Sequence, residues 1–355
     1  MPLFYRWTTV ILPCLVAALL AGSGCEKQST APKKSAPKYQ PITAPLDPFA
    51  VNQRLAKSVN FGNALEAPNE GEWGLTLEAR YFQLLDEAGF SGIRLPVRWS
   101  THAQNASPYT ISPAFFDRID WAVEQALDRG MAIVINMHHY EEIFTDPPSH
   151  KERFLGMWRQ IAEHYKEYPA DLLFEPLNEP NTNLTSPLWN QYLAEVIAVI
   201  RESNPYRTIV IGPVDWNSYA SLNKLVLPAG ENNLIITFHY YNPFHFTHQG
   251  ASWASGSDAW LGTTWGSAAD MTALQNELEV ARNWARTNNR PLFMGEFGAF
   301  NKADMNSRKL WTEAVARQAE NRAMSWGYWE FGSGFAIYNL SKNEWYLPLL
   351  KALIP

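Results

Sequence analysis

Leu172-Leu173-Phe174-Glu175-Pro176-Leu177-Asn178-Glu179-Pro180 begins as a strand-like apolar run and ends abruptly in acidic and amide groups. Pro291-Leu292-Phe293-Met294-Gly295-Glu296-Phe297-Gly298 repeats the pattern. A carboxylate at the end of a buried strand is costly to desolvate, so it needs a partner or a task. Glu179 and Glu296 lie 117 positions apart (296 − 179), which asks whether a fold brings such strand ends together.

Reading outward from these two stretches, apolar runs recur at 58–62, 92–97, 131–137, 171–176, 207–212, 234–240, 291–295 and 324–329. Several, such as Met131-Ala132-Ile133-Val134-Ile135, are apolar without alternation, as suits strands covered on both faces. Helical patterns fill the gaps. Ser112-Pro113 supplies an N-cap and a proline at the first helical position, Phe116, Ile119, Val123 and Leu127 form one face, and Gly130 stops the helix. Ser186-Pro187 repeats the start, with Leu193, Val196, Ile197 and Ile200 as the stripe. Further helices are expected over about 271–288 and 307–321. Eight βα units in one α/β chain point to a (β/α)₈ TIM barrel, a single catalytic domain over 48–355, with an open doubly wound sheet as the rival.

In a barrel, chemistry sits where strands end. Asn63 and Glu66 follow the first run, and Arg94 lies within the second. His138-His139-Tyr140 follow the third, Asn178-Glu179 the fourth, and His239-Tyr240-Tyr241 end the sixth. Glu296 ends the seventh and Trp329-Glu330 the eighth, while the fifth offers only Asp215-Trp216-Asn217. Each has a bland reading alone: a Glu-Pro can be a turn, and a strand-end histidine a hydrogen-bonded structural group. Their joint occurrence at successive strand ends is harder to dismiss. Paired carboxylates flanking a scissile bond are the usual machinery of glycoside hydrolysis.

The segments Phe61-Gly62-Asn63-Ala64-Leu65-Glu66, Gly92-Ile93-Arg94-Leu95-Pro96, His138-His139, Leu177-Asn178-Glu179-Pro180, His239-Tyr240-Tyr241, Gly295-Glu296-Phe297-Gly298 and Trp329-Glu330 together resemble glycoside hydrolase family five. The resemblance covers the chain beyond about residue 50. The stretch from Asn242 to Trp253 also resembles a subgroup of β-glucanases, some of which accept mannan. The resemblance implies a retaining endo-β-1,4-glucanase, with Glu179 as general acid/base and Glu296 as nucleophile. It implies that Asn178 bonds the sugar 2-hydroxyl, that His239 and Tyr241 orient the two carboxyls, and that Arg94 sits near Glu296 and keeps it ionised. Asn63, Glu66, Arg94, His138 and His139 would contact the substrate, with Trp329 as the floor of the sugar site and Trp253 serving a neighbouring sugar. No cofactor and no metal are implied. Glu175 and Glu330 are expected in structural ion pairs, and Glu141 and Glu142 on a solvated face.

A net charge of −6 gives no basic footprint, so nucleic acid is a poor partner. Fifteen Trp suit a sugar-stacking protein, although most could be packing. Arg6 precedes an uncharged run from Val10 to Gly22, too short for a span of ~20 residues and close to a signal-peptide h-region. It ends at Ala21-Gly22-Ser23-Gly24-Cys25, which resembles a lipoprotein cleavage site with Cys25 as the lipidated residue; Gly22 departs from the pattern, and ordinary cleavage nearby is the alternative. The expectation is an exported protein, anchored in the cell envelope or secreted, with 1–25 as signal. Residues 26–47, with Pro32, Pro37, Pro41 and Pro45, read as a flexible tether. Both cysteines, Cys14 and Cys25, lie in the leader, so no disulfide supports the domain.

Two other functions fit the composition. His138, His139, His239, His245 and His248 could serve a metal-dependent hydrolase. A non-catalytic carbohydrate-binding barrel is the other. Within the enzyme reading, β-1,4-mannan or glucomannan is the runner-up to β-glucan, because glucose and mannose differ only at C2.

Overall fold

The computed structural model describes residues 38–355. The signal and lipidation readings, including Cys25, therefore lie outside the described residues. Eight parallel strands close into one barrel in sequence order. They are β1 (Lys57–Asn60), β2 (Gly92–Leu95), β3 (Ala132–Asn136), β4 (Leu172–Glu175), β5 (Ile209–Ile211), β6 (Leu234–His239), β7 (Leu292–Phe297) and β8 (Ser325–Tyr328). The seam closes by pairing of Lys57, Ser58 and Val59 with Trp326, Gly327 and Tyr328. The open doubly wound alternative is thereby excluded.

Alternation along the strands sorts side chains between two apolar layers. Ile133 and Ile135 of β3 face the helices, in the large layer that includes Trp158, Trp189 and Trp311. Ala132 and Val134 face inward with Leu173, Val210, Ile235 and Phe293. That inner layer is completed by Val51 and Leu55 from the helix Pro48–Leu55. Asn52 of the same helix donates to the Leu292 carbonyl and accepts from Ser325 Oγ. The base of the barrel is thus plugged and largely apolar, its few polar groups such as Asn52 and Ser325 bonded to each other, and the interior charges Arg94, Glu175 and Glu296 lie toward the other end.

Most crossovers carry the expected helix, including Pro113–Leu127, Ala268–Asn288 and Met305–Glu320. The fifth does not: β5 runs into the short 3₁₀ turn Tyr219–Lys224. Two cap readings also shift. The Ser112 hydroxyl makes no cap bond, the carbonyl of Ser112 accepting from Phe115 and Phe116 instead. The helix read from Ser186 is capped at Thr185, with Ser186-Pro187 already helical. The packed body also begins earlier than residue 48: Tyr39 stands 5.3 Å from the Tyr168 ring and donates to Asp128 at 3.2 Å.

Candidate active site

Inward-facing positions near the C-terminal ends of β1, β2 and β4 hold Asn60, Arg94 and Glu175, all without exposed surface. Arg94 spends every N–H it has. Nε and one Nη2 hydrogen form a fork onto Glu175 at 2.7 and 2.8 Å. Nη1 donates to Asn60 Oδ1 at 2.9 Å and to Glu296 Oε1 at 2.6 Å. The remaining Nη2 hydrogen goes to Asn178 Oδ1 at 2.7 Å. Five donors meeting five acceptors satisfy a buried guanidinium, and the neighbouring carboxylates hold its proton more firmly than usual despite burial. Arg94 is therefore the fixed counter-charge under the site, with no surface left for a sugar. Its placement beside Glu296 agrees with the reading made from sequence; a role in touching substrate does not. Glu175 is the expected buried ion-pair partner.

Glu296 reaches this network because β7 breaks its alternation. Phe238 pairs with Met294, but His239 pairs with Glu296, so Gly295 is one extra residue. The β8 side shows the same offset, Met294 opposite Trp326 and Phe297 opposite Tyr328. Bulges of this kind re-aim side chains beside active sites. Here the bulge turns Glu296 inward while Phe297 stays outward on Trp311 and Trp326. A Cβ at 295 would fall 2.6 Å from Thr237 Oγ1 and 3.3 Å from His239 Nε2, so glycine is required where β6 passes. Glu296 thus lies inside β7, one residue short of the strand end at which the sequence pattern puts it.

Glu179 stands across the mouth, past the end of β4, in a left-handed turn with φ 46°. The turn is held by Asn181 Nδ2 donating to its carbonyl at 2.7 Å. About a quarter of its side chain, 24%, remains exposed. One oxygen each of Glu179 and Glu296 and a ring nitrogen of His239 lie within 4.8 Å of one another. The two carboxyls have unlike surroundings. Glu296 accepts from Arg94 and, at 2.8 Å, from Tyr241 Oη. Glu179 accepts from His239 Nδ1 at 2.6 Å and forms no salt bridge with Arg or Lys among the described residues. Burial pushes its proton affinity up, to about 7, against the pull of the more distant Arg94. The same desolvation lowers His239 to about 4, so its ring is neutral. Asn217 Nδ2 lies 3.4 Å from His239 Nε2 on the far side of the ring, while Nδ1 faces Glu179.

Asn178, next to Glu179 in the chain, is anchored by its Oδ1 to Arg94. Trp329 stacks 5.7 Å from His138 at 10°. His138 is buried, holds Asn136 Nδ2 at 3.1 Å, and is kept neutral chiefly by desolvation. His139 is partly exposed, with Glu141 at 3.2 Å, and Glu141 itself lies on the solvated face expected of it, 59% exposed. Trp253 is 62% exposed and leans edge-on to Phe300; Phe335, next to both, meets Tyr241 edge-on. Glu66 is a second correction. It is fully buried and accepts from the Asn63 and Ala64 N–H groups, so it shapes the β1 loop instead of lining the cleft. Glu330 is also buried, but it accepts from Asn63 Nδ2 and the Phe335 N–H and, among the described residues, joins no ion pair.

Asn60 and Trp73 are absent from the strand-end residues read from sequence, and Trp216 and Asn217 appear there only within the weak fifth-strand signal Asp215-Trp216-Asn217. Asn60 and Asn217 act through partners across the barrel. Trp73, 38% exposed, meets His139 edge-on at 5.4 Å. Trp216, 57% exposed, is displayed by three successive left-handed residues, Asp215, Trp216 and Asn217, with φ 58°, 56° and 54°. Such residues cost roughly 1–2 kcal/mol each. Lys224 and Ser221 pin Asp215 at 2.5 Å, and the Trp216 N–H meets the Pro180 carbonyl at 3.3 Å, next to Glu179. The five-histidine metal set is not assembled: His245 stacks on Trp260 and His248 on Phe244, away from His239. Among the described residues, the one trio with metal-ligand spacing is Glu179, His239 and Glu296 themselves.

Comparison with known proteins agrees with this geometry. Residues 56–334 match the model of Cellulase (glycosyl hydrolase family 5). Endoglucanase H of Acetivibrio thermocellus is 36% identical over 331 residues, covering 92% of this chain and 35% of that protein. The Cellulase/esterase CelE of the same organism is 31% identical, with 39% of its length covered, so the chain spans little more than a third of these relatives. The crystal structure of endoglucanase Cel5A from Thermotoga maritima superposes with a TM-score of 0.86 at 51% identity, covering 87% of this chain and all of that one. The CcsZ subunit of Clostridioides difficile cellulose synthase superposes at 0.82 and 40% identity, covering 85% of this chain and 100% of its own. With eight parallel strands, two facing carboxyls and this match over most of its length, the chain belongs to glycosyl hydrolase family 5.

Proposed function

We propose that this glycoside hydrolase is a retaining endo-β-1,4-glucanase that cuts cellulose-type and mixed-linkage glucans by double displacement. The observation that carries the proposal is the 4.8 Å limit on the separation of one Glu179 oxygen and one Glu296 oxygen. Retaining enzymes hold their carboxyls ~5–5.5 Å apart, whereas inverting ones leave room for a water at ~6.5–9.5 Å. In the first step Glu296 attacks the anomeric carbon and Glu179 gives its proton to the departing glycosidic oxygen. In the second, Glu179 takes a proton from water, which displaces Glu296 and restores both groups. Arg94 and Tyr241 stabilise charge on Glu296, while desolvation keeps a proton available on Glu179. Asn178 Nδ2 meets the 2-hydroxyl, a contact that tightens as the oxocarbenium-like state forms.

Trp329 serves as the floor under the sugar being cleaved, and Trp253 and Trp216 present aromatic faces for neighbouring sugars. Thermotoga maritima Cel5A has been solved both with cellobiose and with mannotriose. That pair supports a second reading, in which this chain also accepts β-1,4-mannan or glucomannan. The leader suits export, with anchoring through Cys25 or release into the medium. A hydrolysis panel of carboxymethylcellulose, barley β-glucan, lichenan, xyloglucan, xylan and glucomannan, each with and without chelator, tests these readings together. Release of reducing ends from the β-glucans in both conditions is expected. Activity on none of them, or activity abolished by chelator and restored by zinc, overturns the proposal.

A further inference from the structure

We propose that Glu330 is a positioning residue that clamps Asn63 and Trp329, from opposite sides of the barrel seam, into one sugar-recognition surface. This rests on the glycanase reading above and assigns a task to a carboxyl outside the acid/base pair.

Glu330 follows Trp329 directly and has no exposed surface. Its Oε2 accepts from Asn63 Nδ2 and its Oε1 from the Phe335 N–H at 3.4 Å. Asn63 is gripped a second time, by its backbone N–H on Glu66 Oε1. That double hold keeps Asn63 in a left-handed conformation, φ 67°, with Oδ1 and one Nδ2 hydrogen left for the cleft. Gly62 shows how closely the parts fit. A Cβ there would stand 2.8 Å from Cη2 and Cζ2 of Trp329 and 2.9 Å from Glu330 Oε2. The indole therefore lies on the end of β1, with the Glu330 carboxyl beside it. The Phe331 N–H on the Asn60 carbonyl, 3.1 Å, continues the same seam.

A merely structural acid at this depth would be expected to meet a cation. Among the described residues no salt bridge involves Glu330, although Arg308 lies close enough to bond the Phe335 carbonyl. Burial without a counter-charge raises its proton affinity, to about 8. What Glu330 does meet is an amide at the cleft and the backbone of the loop bearing Phe335, which packs near Tyr241. Its bonds thus lead to groups that face sugar.

The test uses polarity. In Glu330→Gln the shape is kept, but one oxygen becomes an NH₂ that opposes either Asn63 Nδ2 or the Phe335 N–H. Adding Asn63→Asp restores a bond in the reverse sense, the new amide at 330 donating and the new carboxylate at 63 accepting. Kinetics on an aryl β-cellobioside, with thermal melts as a control, read the outcome. Glu330→Gln is expected to raise KM about tenfold and to leave kcat within about threefold, and its effect is expected to be non-additive with that of Asn63→Asp, the double variant raising KM by less than the product of the two single effects. An unchanged KM in Glu330→Gln, or strictly multiplicative effects in the double variant, overturns the clamp. If Glu330→Gln does not fold, Glu330→Asp decides: it keeps the carboxylate but draws it back from Asn63 Nδ2, so a KM rise of about tenfold with kcat retained supports the clamp, and an unaltered KM refutes it. A wild-type chain inactive on every β-linked substrate would instead remove the underlying glycanase reading.

Discussion

Replacing Arg94 by methionine removes the one cation on which the inner site is built. Methionine fills comparable space but leaves Glu175, with 1% of its side chain exposed, and Glu296, with 6%, without their counter-charge. Five hydrogen bonds go with it, two to Glu175 and one each to Glu296, Asn60 and Asn178. Breaking a buried ion pair from one side costs about 3–5 kcal/mol, because a desolvated charge is left behind. That is a large part of a typical ~5–15 kcal/mol. Urea unfolding should show the midpoint falling at unchanged slope. The double variant Arg94→Met/Glu175→Met separates orphaned charge from lost packing. Replacing both partners with apolar groups is nearly neutral in other buried pairs, so most of the Glu175 share should return. Activity should not return with it. Glu296 and Asn178 both lose their anchor, and a shift of about 1 Å in reacting groups can cost ~10²-fold. If the single variant unfolds at the wild-type midpoint, or the double variant is no more stable than the single, the network is not held together by this charge.

Glu179→Gln should lower kcat/KM on glucan by ~10²–10⁴, and much less on an aryl cellobioside whose leaving group needs no proton; equal losses on both would remove its role as acid. Gly295→Ala places a methyl against Thr237 Oγ1 and His239, so we expect about 1–3 kcal/mol of overpacking and a kcat loss of at least about tenfold. An alanine variant with wild-type kcat would mean the bulge does not aim the catalytic pair. Thermal stability should peak between about pH 4.5 and 6.5. Glu66, Glu179 and Glu330, raised to about 7, 7 and 8, stabilise the folded state below their unfolded value near 4.5 and lose that contribution as pH rises through those values. His138, His239 and His248 act oppositely, because burial lowers them; their contribution is present above 6.5 and lost as pH falls, toward about 4 for His239 and His248. A melting temperature still climbing at pH 8.5 would contradict this balance.

Strand positions were legible because a barrel strand buried on both faces needs an unbroken apolar run, and each observed strand falls on such a run or within two residues of it. The acidic and aromatic groups at their ends were legible because desolvated charge stands out against that background. Three features were not. The Gly295 bulge reverses which side of β7 faces inward, and simple alternation from Phe293 would have turned Glu296 away. Arg94 and Glu66 were read as sugar contacts, but their burial depends on partners 81 residues away in one case and on a loop folding back in the other. The left-handed run at 215–217 has no glycine to announce it; it exists because Asp215 is pinned from outside and Asn217 reaches His239.

The most direct test follows the anomeric configuration of the first product by proton NMR during hydrolysis of a cello-oligosaccharide. The β-anomer is predicted to appear first and to mutarotate afterwards, because carboxyl oxygens within 4.8 Å of one another suit direct attack by Glu296 and not the wider separation at which an inverting enzyme seats its nucleophilic water. Initial formation of the α-anomer would contradict it.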